Sequence, residues 1–212
     1  MAAHRWIDEP DYDAASRAQS QLSTDVQQGL ENLKELAERG SVISKIYLAE
    51  AYEKGVAGDP DLATSVDWLR RATESGSSYA FYKLGRLWLR TRQYARAYEA
   101  FRTAAGDNFA PAQALLGEMY LKGAAVQKNV DRAIEFFEQA ASQGNLYAMG
   151  WLITLYVNGA PPRFFFGGIL RPKRFLRGLS IFCRVMCQAI FSNSAADDEP
   201  MLTGPRHGYI PR

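Results

Sequence analysis

The chain has 212 residues, of which 47% are hydrophobic and 23% are charged, and its formal net charge is +2. This composition is that of a folding chain rather than a disordered one, and the length suits one or two globular domains or a short repeat array. This net charge argues neither for nor against a nucleic-acid partner, and none is expected.

Residues 1–24 are polar and acidic, and we predict a mobile N-terminal arm with helical propensity over 12–22. No apolar stretch near the start resembles a secretory signal, so cytoplasmic residence is the expectation. Ser23-Thr24-Asp25 supplies capping side chains for a helix that runs to Arg39 and ends at Gly40.

Three helix pairs follow, in residues 41–76, 77–107 and 108–144. Apolar positions recur at three and four residues within each helix, and breakers separate the helices. The second pair lacks a long connecting loop, because only Thr91-Arg92-Gln93 separates its helices. A last unit begins at Asn145 and keeps its first helix to Asn158. Within these units, helices are predicted at 42–54, 61–75, 79–90, 94–105, 130–141 and 145–158.

One motif recurs in the first helix of each unit, and its clearest copy is Leu116-Gly117-Glu118-Met119-Tyr120-Leu121-Lys122-Gly123. A small residue lies four positions before the leading leucine, where it allows a partner helix to approach closely. A fixed period of this size predicts supersecondary units that stack to bury their apolar faces. The leading leucines lie 36, 32 and 36 residues apart, at Leu48, Leu84, Leu116 and Leu152.

The pattern A-x-x-x-L-G-x-x-Y-x-x-G, a variable loop and a helix ending A-A-x-x-G resembles the Sel-like repeat, a relative of the tetratricopeptide repeat. The resemblance covers about residues 27–159, and 80–105 is more similar to a plain tetratricopeptide repeat. It implies an all-α fold, a right-handed α-solenoid of antiparallel helix pairs, over 25–162. Proteins of this kind are mostly adaptors that assemble complexes, in bacterial envelope, polysaccharide and signalling systems among others.

The family geometry implies that the first helix of each unit lines a concave face that binds a protein partner. Positions beside the core leucine then point into the groove. The charged residues at these positions are equally compatible with a solvated surface that binds nothing. The candidate binding residues are Glu50, Lys54, Tyr79, Tyr82, Arg86, Arg90, Glu118, Lys122, Thr154 and Asn158.

Residues 163–191 depart from the repeat pattern, being basic and aromatic. A helix-compatible run from Phe175 to Phe191 has an apolar stripe. It would form the second helix of the last unit, lie on an anionic membrane surface at the inner face of the membrane, or dock on a partner protein. Spanning is not expected, because two arginines within it would each cost about 2.5–3.5 kcal/mol at a bilayer centre. The candidate contact residues are Phe164, Phe165, Phe166, Arg171, Lys173, Arg174, Arg177 and Arg184.

No catalytic or metal-binding motif stands in the sequence. The two cysteines, Cys183 and Cys187, lack the further Cys or His of a zinc site and are interpreted as reduced thiols. Residues 192–212 are expected to be disordered. The sequence therefore predicts a non-catalytic adaptor without a cofactor, with a peripheral membrane protein as the alternative.

Overall fold

The computed structural model describes residues 11–56 and 58–157. Within these residues the chain is helical, without a strand, so the all-α prediction is confirmed there. The described residues form two compact units, 11–109 and 110–157. The helices are α1 Tyr12–Gln21, α2 Val26–Glu38, α3 Val42–Lys54, α4 Leu62–Thr73, α5 Ser78–Arg90, α6 Tyr94–Gly106, α7 Ala110–Lys122, α8 Val130–Ser142 and α9 Leu146–Val157.

Short polar side chains begin most of these helices where the sequence places them. The Asp25 carboxylate accepts from the Gln28 amide at 3.1 Å, and the Asp61 carboxylate accepts from the Thr64 amide at 3.0 Å. Ser41, Ser77, Asn129 and Asn145 cap α3, α5, α8 and α9 in the same way. Each cap satisfies an amide that would otherwise lack a partner in the first helical turn.

Each helix pair packs around the leucine of the recurrent motif. Leu48, Leu84, Leu116 and Leu152 are all at most 3% exposed. The glycine after the leucine lies against a phenylalanine ring of the following helix. A Cβ at Gly85 would lie 2.6 Å from the Phe101 ring, and one at Gly117 would lie 2.8 Å from the Phe137 ring. Because glycine has no Cβ, the second helix packs closer to the first helix than it could against an alanine at this position.

A repeated backbone hydrogen bond closes each pair. The amide of the residue just before the second helix donates to the carbonyl of the aromatic residue in the first helix. The bonds are Asp61 to Tyr52 at 2.9 Å, Gln93 to Trp88 at 2.8 Å and Asn129 to Tyr120 at 2.9 Å. The same closure thus spans both the three-residue connection and the longer loops. Gly55 and Gly123 have φ of 67° and 74°, so the longer loops leave the first helix in a left-handed conformation.

The structure corrects part of the prediction of a mobile arm over 1–24. Residues Tyr12–Gln21 form α1, which packs against α2 and α3. Its buried side chains are Ala15 and Ala18, at 0% and 2% exposure. The α1–α2 pair is therefore an additional helix pair at the start of the first unit. Because its buried residues are alanines, no stripe of large apolar residues marks it in the sequence.

Several predictions fall on residues outside the described part of the chain. These are the arm over 1–10, Asn158, the whole segment 163–191 with its candidate contact residues and both cysteines, and the tail 192–212. They remain predictions. Among the described helices, none is both long and apolar enough to cross a bilayer.

Candidate protein-binding surface

The first helices α3, α5, α7 and α9 carry a stripe of positions five, two and one residue before the core leucine and two and six residues after it. These positions recur at three and four residues and so share one side of a helix. We call this stripe the first-helix face. In α5 it consists of Tyr79, Tyr82, Lys83, Arg86 and Arg90.

In the first unit, Glu50 of α3 and Lys83 of α5 form an ion pair between the first-helix faces. Both side chains are about four-fifths buried, with 20% and 21% exposure. The Lys83 ammonium also lies 5.2 Å from the centre of the Tyr79 ring. Burial by itself would lower the pKa of Lys83, but the neighbouring Tyr79 and Glu50 outweigh burial, and the pKa lies above its ordinary value. Burial raises the pKa of the Tyr79 phenol as well.

Beside this pair, the aromatic side chains of α5 form a cluster with Phe109. The Tyr82 ring stacks on Tyr79 at 6.1 Å between centroids and meets Phe109 edge-on at 5.5 Å. The Arg86 guanidinium lies 5.8 Å from the centre of the Tyr82 ring, and its side chain is exposed. No carboxylate of the described residues lies within ion-pair distance of Arg86. The surface therefore combines a half-buried aromatic pair with a cation open to solvent.

Arg90 differs from Arg86, although the sequence places both in one basic patch. Its guanidinium pairs with Glu53 of α3 at 2.5 Å, so its charge is already compensated within the unit. Lys54, at the end of α3, is exposed.

In the second unit, Glu118 of α7 is the acceptor of two contacts. The Tyr147 hydroxyl of α9 donates to Glu118 Oε2 at 2.5 Å, and the Lys122 ammonium pairs with the other carboxylate oxygen. Burial first, and then the hydrogen bond to Glu118, raises the pKa of Tyr147 to about 12. On α9, the Thr154 hydroxyl donates to the Gly150 carbonyl at 2.9 Å and is exposed.

Sequence reasoning missed Lys83 and Tyr147, which engage the two glutamates. Tyr147 occupies the same position before its core leucine as Tyr79, which was a candidate. Comparing the two repeats position by position would have identified it. Lys83 directly precedes the core leucine Leu84. The other repeats have Tyr47, Leu115 and Trp151 at this position, so no repeated signal marks it.

Comparison with known families identifies two of the helix pairs, α3–α4 and α7–α8. The Sel1 repeat model matches residues 43–77 and 110–145. The chain therefore contains Sel1 repeats. Its Sel1 repeats confirm the resemblance seen in the sequence, and proteins built from such repeats generally mediate protein–protein interactions by binding protein partners.

Relatives of known sequence share only part of their length with this Sel1-repeat protein. It is 32% identical over 111 residues to the DAP3-binding cell death enhancer 1 of Rattus norvegicus, a match that covers 51% of this chain and 22% of the rat protein. The Mus musculus protein of the same name matches to the same extent. The chain therefore spans about a fifth of the length of these relatives.

Solved structures confirm the fold class. A protective antigen of uropathogenic Escherichia coli strains with an SLR fold has a TM-score of 0.58 and 32% identity, over 61% of this chain and 29% of that one. A Sel1 repeat protein from Oxalobacter formigenes has a TM-score of 0.61 and 23% identity, over 73% of this chain and 69% of that one. The second comparison bears on the fold alone.

Proposed function

We propose that this Sel1-repeat protein is a non-catalytic adaptor that takes part in assembling or regulating a complex, and that it binds a protein partner through the first-helix face of residues 11–109. The observation that carries the proposal is the Tyr79–Tyr82–Arg86 surface of α5. Tyrosine and arginine are enriched among the residues that dominate binding energy at protein interfaces. Both tyrosines are held by neighbouring rings, so little side-chain freedom is lost on binding.

The charges of this surface favour an acidic segment of the partner. Lys83 and Arg90 are paired with Glu50 and Glu53, whereas Arg86 is exposed above the edge of the aromatic cluster. A carboxylate of the partner would form a charge-assisted hydrogen bond with Arg86, and an apolar neighbour would lie against Tyr82. The name of the rat relative, which states that it binds a protein, supports the class of partner only.

Affinity purification of the full chain with mass spectrometry would first identify the partner, and titration of the purified partner would then test the surface. We expect Arg86→Glu to weaken binding by about tenfold or more, because a like charge replaces the attraction at the centre of the contact. Arg96→Glu is the matched control, since it makes the same charge change at an exposed position of α6. Equal affinity of the Arg86→Glu variant and the unchanged protein would refute the binding site.

A further inference from the structure

Helix α9 is a first helix that lacks its second helix among the described residues. Its core leucine Leu152 and its close-contact residue Ala148 are both fully buried, as in the earlier repeats. The first helices α3, α5 and α7 each pack against the helix that follows them in the chain. The corresponding partner of α9 must come from beyond residue 157 or from another molecule.

Apart from the hydroxyls of Tyr147 and Thr154, the exposed part of α9 is apolar. No charged residue occurs from Leu146 to Val157. Leu146 is 39% exposed, and Trp151 and Ile153 are only partly buried. An uncharged helix with large apolar side chains at its surface is normally covered by a packing partner, so we expect one on this side of α9.

The residue after the core leucine indicates the size of side chain that fits there. Gly85 and Gly117 each accept a phenylalanine ring from the following helix. In α3 the same position is Ala49, which shares a core cluster with Leu69. At the corresponding position of the second helix, α4 has Leu69 where α6 and α8 have phenylalanine. The side chain of the second helix is thus smaller where the residue after the core leucine is larger. Ile153 takes this position in α9, so small side chains must face it.

Residues 175–191 meet these requirements in sequence. Their apolar residues recur at three and four positions, and Gly178 and Cys183 lie on either side of that stripe and provide small side chains. Residues 158–174 are long enough to connect α9 to an antiparallel helix, since shorter loops do so in the earlier pairs. The stripe consists of Phe175, Leu179, Phe182, Met186 and Ile190.

Charge favours the same arrangement. Helix α8, which packs against α9, carries Asp131, Glu135 and Glu138 against one arginine. The stretch 175–191 contains Arg177 and Arg184 and no acidic residue. A helix placed on α9 would bring these arginines towards the acidic helix.

We infer that residues 175–191 form the second helix of a further repeat and cover the apolar side of α9 within the same molecule. This assigns the basic segment to the fold of its own chain rather than to a membrane or a second copy. It is independent of the partner-binding surface on α5.

Hydrogen exchange with mass spectrometry on the full chain tests the inference. We expect amides in 175–191 to exchange at least about tenfold more slowly than in an unstructured chain, at any protein concentration and without lipid. Leu179→Glu should remove this protection and also speed exchange in α9, while α2–α5 stay protected and show that the rest is folded. Gln188→Glu, which lies opposite the stripe, is the matched control and should change neither.

Thiol labelling gives a second measurement that does not depend on peptide coverage. In a Cys187→Ser variant, Cys183 should react with a maleimide about tenfold more slowly than in denaturant, and Leu179→Glu should restore fast labelling. Unprotected amides in 175–191 would overturn the inference. So would protection that needs phosphatidylserine vesicles, which would indicate membrane binding, or protection that needs high protein concentration, which would indicate a second copy.

Discussion

The Tyr147 hydroxyl donates a 2.5 Å hydrogen bond to Glu118 Oε2, joining the two first helices of the second unit. The first unit has the same two residue types at the same positions, Tyr79 and Glu50, but there Lys83 pairs with the glutamate and lies beside the tyrosine ring. The two units thus compensate an equivalent glutamate in different ways. Neither carboxylate is available in full to a ligand.

The burial of Tyr147, together with its hydrogen bond to Glu118, predicts a late tyrosine titration. Because its pKa is raised from 10.0 to about 12, the neutral phenol stabilises the fold. That contribution is fully present below pH 10.0, the ordinary pKa, and is lost as the pH rises through about 12. Tyrosinate absorbance against pH should therefore lose a transition at about pH 12 in Tyr147→Phe. Glu118→Gln should move that transition to lower pH, and an unchanged curve in both variants would contradict the assignment.

Two buried serines predict stabilising substitutions. The hydroxyls of Ser44 and Ser65 are buried without a hydrogen-bond partner among the described residues. The corresponding positions in the later pairs are alanines, all fully buried. We expect Ser44→Ala and Ser65→Ala each to raise the free energy of unfolding by about 1 kcal/mol, since each removes an unsatisfied polar group. Urea unfolding followed by circular dichroism measures this.

Ser142→Ala serves as the control, because that hydroxyl is exposed and bonded to the Gln139 carbonyl. Its effect should stay within about 0.5 kcal/mol. A loss of stability in Ser44→Ala would mean that its hydroxyl has a partner.

The close contact of Gly117 with Phe137 predicts a compensating pair of substitutions. Gly117→Ala should destabilise by about 1–3 kcal/mol, because its methyl group would overlap the ring and the Ala133 carbonyl. Adding Phe137→Leu should recover part of this loss, since Ala49 and Leu69 already share a core cluster in the first unit. Unfolding free energies of the two single variants and the double variant measure the coupling.

Gly150 provides the control for the backbone effect of alanine. It lies inside α9, and among the described residues outside its own helix no atom lies within 4 Å of a Cβ added there, so Gly150→Ala should stabilise by about 0.5–1 kcal/mol. If Gly117→Ala behaved in the same way, the close packing of the Phe137 ring would not be needed for stability.

The Glu50–Lys83 pair predicts a measurable interaction energy. Its side chains are about 20% exposed, whereas those of the Glu35–Arg39 pair are both 63% exposed. A double-mutant cycle with Glu50→Gln and Lys83→Met should give a coupling of about 1 kcal/mol that persists in salt. The same cycle with Glu35→Gln and Arg39→Met should give about 0–0.5 kcal/mol. Equal couplings would show that burial does not strengthen the pair.

The helices were predictable because local signals mark their ends. Val42–Lys54 was predicted to the residue, since Ser41 caps its start and Gly55 ends it. The charge pairs were not predictable, because the partner of Glu50 lies 33 residues away and its identity depends on how adjacent helices are staggered. Helix α1 was missed as a packed element because its buried residues are two alanines rather than large apolar side chains.

The amide-to-carbonyl closures at Tyr52, Trp88 and Tyr120 separate the packing of a helix pair from the length of its connection. A connection can therefore gain or lose residues between the aromatic and the capping position while the two helices stay in register. Loop 124–128 is consequently a natural place for inserting a foreign epitope or a fluorescent tag. The same loop can also vary in sequence, and so in what it recognises, without changing the packing of the helix pair.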